Sequence, residues 1–356
     1  MIRVRRQAPG VLCILIFSSL LNPPGLISQE PPTAQAPVDT QRPEPIRVSV
    51  DRVNVGVLVT DPSGKFAEGL QRNNFHIFDN GVEQPITDFL DVEEPAQTVV
   101  LIEAGPAVYL LEGSHLRAAQ EFLRGLSPED RVAVVKYAGA PQGLVDFTAN
   151  KQFAAAAFDE LGFNLGFGSL NLSASLSKVL DWLTTVQGKK TIVLLSTGVD
   201  TSSTRQIQDL LSRLQTSEVR ILAVSLTADL RNPPPAGKKK SPSPKVTFTS
   251  QQFAEADMLL RQIAQTTGGQ AYFPAQSSEL PGVFAEIAQM VRHEFSLAFV
   301  PPAHDGAVHS LEVRVTAKSG TSTGQSAGLA TGVAAGLTNY RVDCRHAYLA
   351  PRPVTR

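Results

Sequence analysis

Glu103 to Ala107 is the stretch best placed to do chemistry. Thr98 to Ile102 are five consecutive apolar or β-favouring residues, which read as a fully buried strand. Gly105-Pro106 breaks that strand before an amphipathic helix. In an α/β sheet the loops at the carboxyl ends of the strands form the ligand crevice, so this loop would line it. Glu103 could act there as a base or hold a cation, but one carboxylate without a partner is not a catalytic set. Gly188-Lys189-Lys190-Thr191 has the letters of a phosphate loop, yet it precedes its strand and lacks the upstream glycine at the required spacing. No Gly-x-Gly-x-x-Gly follows the first strand, so no dinucleotide site is indicated. The six histidines form no His-Glu-x-x-His pair; His293-Glu294 closes a helix, where a histidine favours the dipole. Ser196 ends a strand without the Gly-x-Ser-x-Gly elbow of a nucleophile. Asn171-Leu172-Ser173 is a glycosylation sequon by letter only, at the start of a predicted helix.

The elements that would hold this loop follow from hydrophobic periodicity. Val48, Val50, Val53, Val55, Val57 and Val59 alternate as a strand with one interruption near Asp51, closed by the turn residues Asp61-Pro62-Ser63-Gly64. Phe75 to Phe78 and Val82 to Ile86 flank Asp79-Asn80-Gly81, a strong hairpin signal because Asn and Gly tolerate positive φ. Beyond Thr98, Leu116, Ala119, Leu123 and Leu126 fall on one helical face. Strands at Arg131 to Ala138 and Gly143 to Thr148 are joined by so short a turn that they must be antiparallel. Helices at Gln152 to Leu161, Leu172 to Leu183 and Ile207 to Leu214 alternate with strands at Thr191 to Ser196 and Val219 to Leu226. A helix through Phe253 to Ile263, a strand at Gln270 to Phe273 and a helix begun by Pro281 follow. Three strands, Phe295 to Val300, Ser310 to Ala317 and Tyr340 to Leu349, end the pattern. Residues 231–250, with three prolines in a row and Lys238-Lys239-Lys240, read as a mobile, solvated surface loop, a polybasic docking arm being the alternative.

Composition limits the function classes. The 32 Lys+Arg against 33 Asp+Glu give no electrostatic case for nucleic acid or an anionic membrane surface. Arg3, Arg5 and Arg6 precede an apolar run from Val11 to Leu21, the pattern of an export signal over residues 1–28, and 29–45 read as a disordered Pro-rich linker. The run is too short to span a bilayer comfortably, and no other segment approaches the ~20 apolar residues that a membrane helix needs. A periplasmic or extracellular protein is expected. Cys13 falls inside the signal, so Cys344 stands alone, without an internal disulfide; with its neighbours Val342 and Tyr348 in register on one strand face, it is expected to be buried or partly buried and reduced.

The order of elements, with one antiparallel strand in an otherwise parallel sheet, resembles the von Willebrand factor A domain. The phrases TVVLIEAGPAV, LSPEDRVAVVKYAG, GKKTIVLLSTGVDTSS and IAQTTGGQAYFP agree with it. The flanking phrases VNVGVLVTDPSGKFAEGLQRNNFHIFDNGVEQPITDF, FSLAFVPP and YRVDCRHAYLAP look like the exported, acidobacterial-type von Willebrand factor A-related proteins. The resemblance covers roughly Ile46 to Pro351. It implies a mostly parallel, doubly wound sheet over 97–294 with one antiparallel edge strand. It also implies a metal-ion-dependent adhesion site in which Mg²⁺ is held by an Asp-x-Ser-x-Ser loop, a Thr in a second loop and an Asp in a third. Matched residue by residue, the first loop is Glu103, Gly105 and Ala107, so both serine hydroxyls are gone; the second-loop residue is Ser169 and the third-loop residue Thr197. Asp200 is a nearby acid but not the usual ligand. Glu103, Ser169 and Thr197 bring one carboxylate between them, whereas Mg²⁺ wants near-octahedral oxygen coordination. No cofactor is expected, with Mg²⁺ at most weakly bound, and Glu103 should be solvated or paired with Ser169 or Thr197.

The expectation is a non-enzymatic, exported interaction or adhesion-type module that binds a protein partner without a metal. A secreted hydrolase using Glu103 or Asp200 as base, or a structural envelope component, is the alternative. The amino-terminal β segment, 46–94, and the carboxyl-terminal one, 295–351, each hold too few strands to be stable alone. They should pack together as a small β-sandwich into which the α/β domain is inserted.

Overall fold

The computed structural model describes residues 52–91, 95–109, 113–163, 169–232, 248–316 and 340–352. The expected signal and linker, Cys13, the Val48 and Val50 part of the first expected strand, the Lys238–Lys240 stretch and the Gly-, Ser-, Thr- and Ala-rich loop before Tyr340 lie outside these residues.

The chain opens with strands β1 (Val53–Thr60), β2 (Phe75–Asp79), β3 (Val82–Gln84) and β4 (Ile86–Leu90). Asn80 and Gly81 carry φ of 47° and 81°, the left-handed pair that a two-residue hairpin between β2 and β3 requires. The expected Val82 to Ile86 arm is cut at Pro85, which has no N–H for a ladder, and Ile86 starts a strand of another sheet. There follow β5 (Gln97–Glu103), α1 (Pro106–Tyr109), α2 (Ser114–Gly125), β6 (Arg131–Tyr137), β7 (Pro141–Thr148), α3 (Lys151–Asp159) and α4 (Leu172–Leu183). Then come β8 (Lys190–Ser196), α5 (Thr204–Gln215), β9 (Val219–Ser225), α6 (Ala228–Arg231), α7 (Ser250–Thr266), β10 (Ala271–Tyr272) and α8 (Leu280–Arg292). The chain closes with β11 (Phe295–Phe299), β12 (Val308–Val315), β13 (Arg341–Asp343) and β14 (Ala347–Leu349).

Among the described residues the central sheet runs β10-β9-β8-β5-β6-β7, parallel except for β7, which is antiparallel to β6 at the edge. Alternation along β5 gives the sheet two apolar faces. Val100 and Ile102 pack with Phe122, Phe158 and Phe284 of α2, α3 and α8. Val99 and Leu101 pack with Leu176, Leu210 and Leu260 of α4, α5 and α7. The strands are apolar on both sides because helices cover both sides.

The flanking strands form two antiparallel sheets, β13-β1-β11-β4 and β14-β12-β2-β3, each mixing amino- and carboxyl-terminal segments. Val55, Val57, Ile77, Phe295, Phe299 and Val313 fill the space between them. Tyr340 to Leu349, expected as one strand, is two, β13 pairing with β1 and β14 with β12. Val342 and Tyr348 therefore sit in different sheets and do not share a strand face. Cys344, at the corner, is buried, and burial pushes its thiol up to about 11.

Two buried arginines fasten the sandwich to the central sheet. Arg220 of β9 donates from Nε to Glu294 at 3.0 Å and from its guanidinium to the carbonyls of Gly56, Gly268 and Asp343. Arg345, at the β13–β14 corner, donates to the carbonyls of Asn54, Thr216 and Ser217. Two backbone approaches here, Gly268 against the β13–β14 corner and Gly269 against β9, are close enough to demand glycine. A Cβ on Gly268, whose φ is 70°, would lie 2.3 Å from the Cys344 backbone, and one on Gly269 would lie 1.9 Å from the Ile221 carbonyl oxygen. A Cβ on Gly282 of α8 meets nothing. Gly269→Ala should therefore lower stability by about 1–3 kcal/mol, while Gly282→Ala should raise it by up to about 1 kcal/mol. Thermal unfolding of the two variants should shift in opposite directions; a tolerated Gly269→Ala would mean that the two backbones can part.

Candidate functional site

Glu103 is the last residue of β5, on the face that looks toward α4, and it is fully buried. Parallel register sets it level with Tyr137 at the end of β6, and Ile102 beside Leu195 brings Ser196 to the same height on β8. The ends of three neighbouring strands thus converge on one carboxylate. Thr197 donates its N–H at 2.7 Å and its hydroxyl at 2.8 Å to Oε2, and Ser196 Oγ lies 3.1 Å from the same oxygen. The Tyr137 hydroxyl is 2.7 Å from Ser196 Oγ and 3.3 Å from Glu103. Gly198 N–H donates to Ser196 Oγ at 2.8 Å, and Val199 N–H to Thr197 Oγ1 at 3.3 Å. One proton arrangement satisfies every group: Tyr137 and Gly198 donate to Ser196, and Ser196 and Thr197 donate to Glu103. Burial nevertheless pushes the Glu103 carboxyl up to about 7, against the hydrogen bonds from Thr197, Ser196 and Tyr137 that favour its anion. Burial and the neighbouring Glu103 charge hold the Tyr137 phenol well above its ordinary range.

Of the positions singled out in the sequence, the structure brings together Glu103 and Thr197. Glu103 is not solvated. Gly105 is buried, and a Cβ there would touch Leu170 at 3.4 Å and Glu103 at 3.5 Å; Ala107 is buried within α1. Ser169 is exposed, its Oγ accepting from Asn171 Nδ2 at 3.4 Å beside the Gly139 turn instead of meeting Glu103. Asp200 belongs to α4: it accepts from the N–H and hydroxyl of Ser173 in the first turn, and from Ser202 N–H at 2.9 Å. It supplies the negative charge that a helix amino terminus favours, where the side chain of Asn171 at the cap position makes no capping bond to the first turn. Among the described residues no three His, Cys, Asp or Glu side chains are grouped to hold a metal ion.

Tyr137 and Ser196 were not read from the sequence as partners of Glu103; the available signal was that each ends a strand predicted to lie in the same sheet. His115 was also missed. It is fully buried in α2 with neither ring nitrogen hydrogen-bonded, and burial pushes it down to about 4. Beside it, Tyr109 is half-exposed on the loop face, its ring edge-on to Phe163 at 5.7 Å.

Residues 114–286 match the model of the von Willebrand factor type A domain, the matched stretch beginning after the Glu103–Ala107 loop. No curated protein matches the chain. Similar solved structures include a von Willebrand factor type A protein from Catenulispora acidiphila, 12% identical over 81% of this chain and 76% of that one, with a TM-score of 0.42. The vWF domain of the type V pili tip protein Mfa5 from Porphyromonas gingivalis is 12% identical over 56% of this chain and 95% of its own, with a TM-score of 0.41. An aerotolerance-related membrane protein from Bacteroides fragilis is 12% identical over 55% and 98%, also at 0.41.

Proposed function

Because this chain carries a von Willebrand factor type A domain over residues 114–286, we propose that it is an exported, non-enzymatic protein-binding module that works without a metal. The surface it presents is the loop face at the carboxyl ends of the central strands. The observation that supports this is the occupation of Glu103. Its carboxylate is enclosed by Thr197, Ser196 and Tyr137, which offer protons to it where a cation would need oxygen lone pairs. Gly105 and Ala107 bring no side-chain oxygen, and Ser169 turns to Asn171. The donor set does not fit a divalent cation. Enclosure also removes Glu103 as a base for external substrate, because a general base must come within hydrogen-bond reach of the proton it takes. What the face does offer is Tyr109, an aromatic of the kind that anchors interfaces, braced by Phe163.

Two measurements test the reading. Melting curves with millimolar Mg²⁺ or Mn²⁺ should superimpose on those with chelator, because a ligand at a hundred times its dissociation constant would add ~2.7 kcal/mol. A clear rise with Mg²⁺, abolished by Ser169→Ala, would refute metal independence. Cross-linking mass spectrometry in the exported fraction should identify a protein partner whose yield drops in Tyr109→Ala and is indifferent to chelator; turnover of a peptide, ester or glycan lost in Glu103→Gln would overturn the non-enzymatic reading.

A further inference from the structure

We propose that the groove between α5 and α7 is a second docking site, and that its occupant is an amphipathic partner helix carrying lysine or arginine beside its apolar ridge. The inference rests on the interaction-module reading and names the kind of partner segment such a module would take. The groove encloses a cavity of 310 Å³, and it runs up to the Gly198–Asp200 loop, which belongs to the proposed presenting face. Val199, Ile207 and Leu259 form an apolar floor, and Met258 stands 55% exposed beside them. Methionine in such a place adapts to differently shaped apolar side chains. Helix α7 lines one side and Ile207 of α5 reaches in from the other, over an apolar floor of the kind on which an amphipathic helix lays its apolar face.

The charges select the sign of the partner. The described charged residues that line the groove are Asp200 and Glu255, both acidic. The hydrogen bonds these two accept come from neutral groups: Asp200 from Ser173 and Ser202, and Glu255 from Gln251 Nε2 at 2.9 Å. The same helices neutralise carboxylates that point elsewhere. Arg213 meets Asp181 at 2.6 Å, Arg231 meets Asp257 at 2.7 Å, and Arg205 lies 3.9 Å from Asp209. Of the carboxylates on the two helices, Asp209, Asp257 and Glu255, Glu255 is the one that meets no cation among the described residues, and Asp200, bonded to the first turn of α4, adds negative charge at the end of the groove. An approaching lysine or arginine would pair with Glu255, and would be steered there at low salt.

The test uses the full chain and two labelled synthetic helices with the same leucine ridge, one flanked by lysines and one by glutamates, followed by fluorescence anisotropy. The lysine helix should bind and weaken as salt rises, and the glutamate helix should bind on the order of tenfold more weakly. Glu255→Lys should invert that preference, and Met258→Ser should weaken both. Both positions are exposed on a helix, so unchanged melting curves would confirm folding. Equal binding of the two helices, no binding of either, or a preference unmoved by Glu255→Lys would overturn the proposal. Tyr109→Ala should leave helix binding intact, so a failure of the groove and a failure of the aromatic face are read separately.

Discussion

Replacing Arg220 by methionine is expected to lower the free energy of unfolding by about 3–5 kcal/mol, the cost of leaving a buried charge without its partner. Glu294 is 4% exposed, its Oε1 depends on Arg220 Nε, and its Oε2 has no hydrogen-bond partner. The same substitution orphans the carbonyls of Gly56, Gly268 and Asp343 that the guanidinium collects. Because these groups come from the central sheet and from both flanking segments, the loss should be felt as a weakened junction between sandwich and α/β domain. The double variant Arg220→Met/Glu294→Met should recover part of the loss, since an apolar pair has no charge to strand. Urea unfolding of the two variants decides the matter, and a single-variant loss below about 1 kcal/mol would show that water reaches the pair.

Glu103→Gln and His115→Leu should tilt the pH dependence of stability in opposite directions. Glu103 is raised from 4.5 to about 7 by burial, so between those values the folded chain keeps a proton that the unfolded chain has released. Its contribution is complete below the unfolded value and is lost as pH rises through the folded one, a fall of about 3 kcal/mol at ~1.36 kcal/mol per unit. His115 is lowered from 6.5 to about 4, so between those values the unfolded chain binds a proton that the folded chain refuses, and stability rises with pH by a similar amount, about 3 kcal/mol. Over the shared window the two slopes oppose each other. Glu103→Gln should leave the rise from His115 uncovered, and His115→Leu the fall from Glu103. Chemical denaturation at pH 4.5, 5.5, 6.5 and 7.5 measures each variant's difference from the unsubstituted protein. A difference that does not change with pH for Glu103→Gln would mean that the carboxyl titrates in its ordinary range, and that the hydroxyls around it outweigh its burial.

Much of the fold was legible because its signals are local. Alternation marked β1, the continuous apolar run marked β5, Asn80-Gly81 marked the hairpin, and helical spacing marked α2, α4, α5 and α8. The short link between β6 and β7 carried their antiparallel pairing. What could not be read locally was the split of Tyr340 to Leu349 into β13 and β14, because Cys344 and Arg345 are buried by elements far away in the chain and nothing in their spacing announces a corner. Arg220 carried a faint sign, a charge just before the apolar run Ile221 to Val224 of β9, but its partner Glu294 lies 74 positions away.

The candidate site divides in the same manner. Residue types alone determined that the loop after β5 offers one carboxylate and no hydroxyl at the next two matched positions, Gly105 and Ala107. Where that carboxylate goes was decided by tertiary structure. Parallel register, a property of paired backbones, lifts Glu103, Tyr137 and Ser196–Thr197 to one level, and burial there leaves the carboxylate no water to turn to. Hydrogen bonds to whichever donors share that level are the remaining means of satisfying it, and those donors come from strands 34 and 93 positions along the chain.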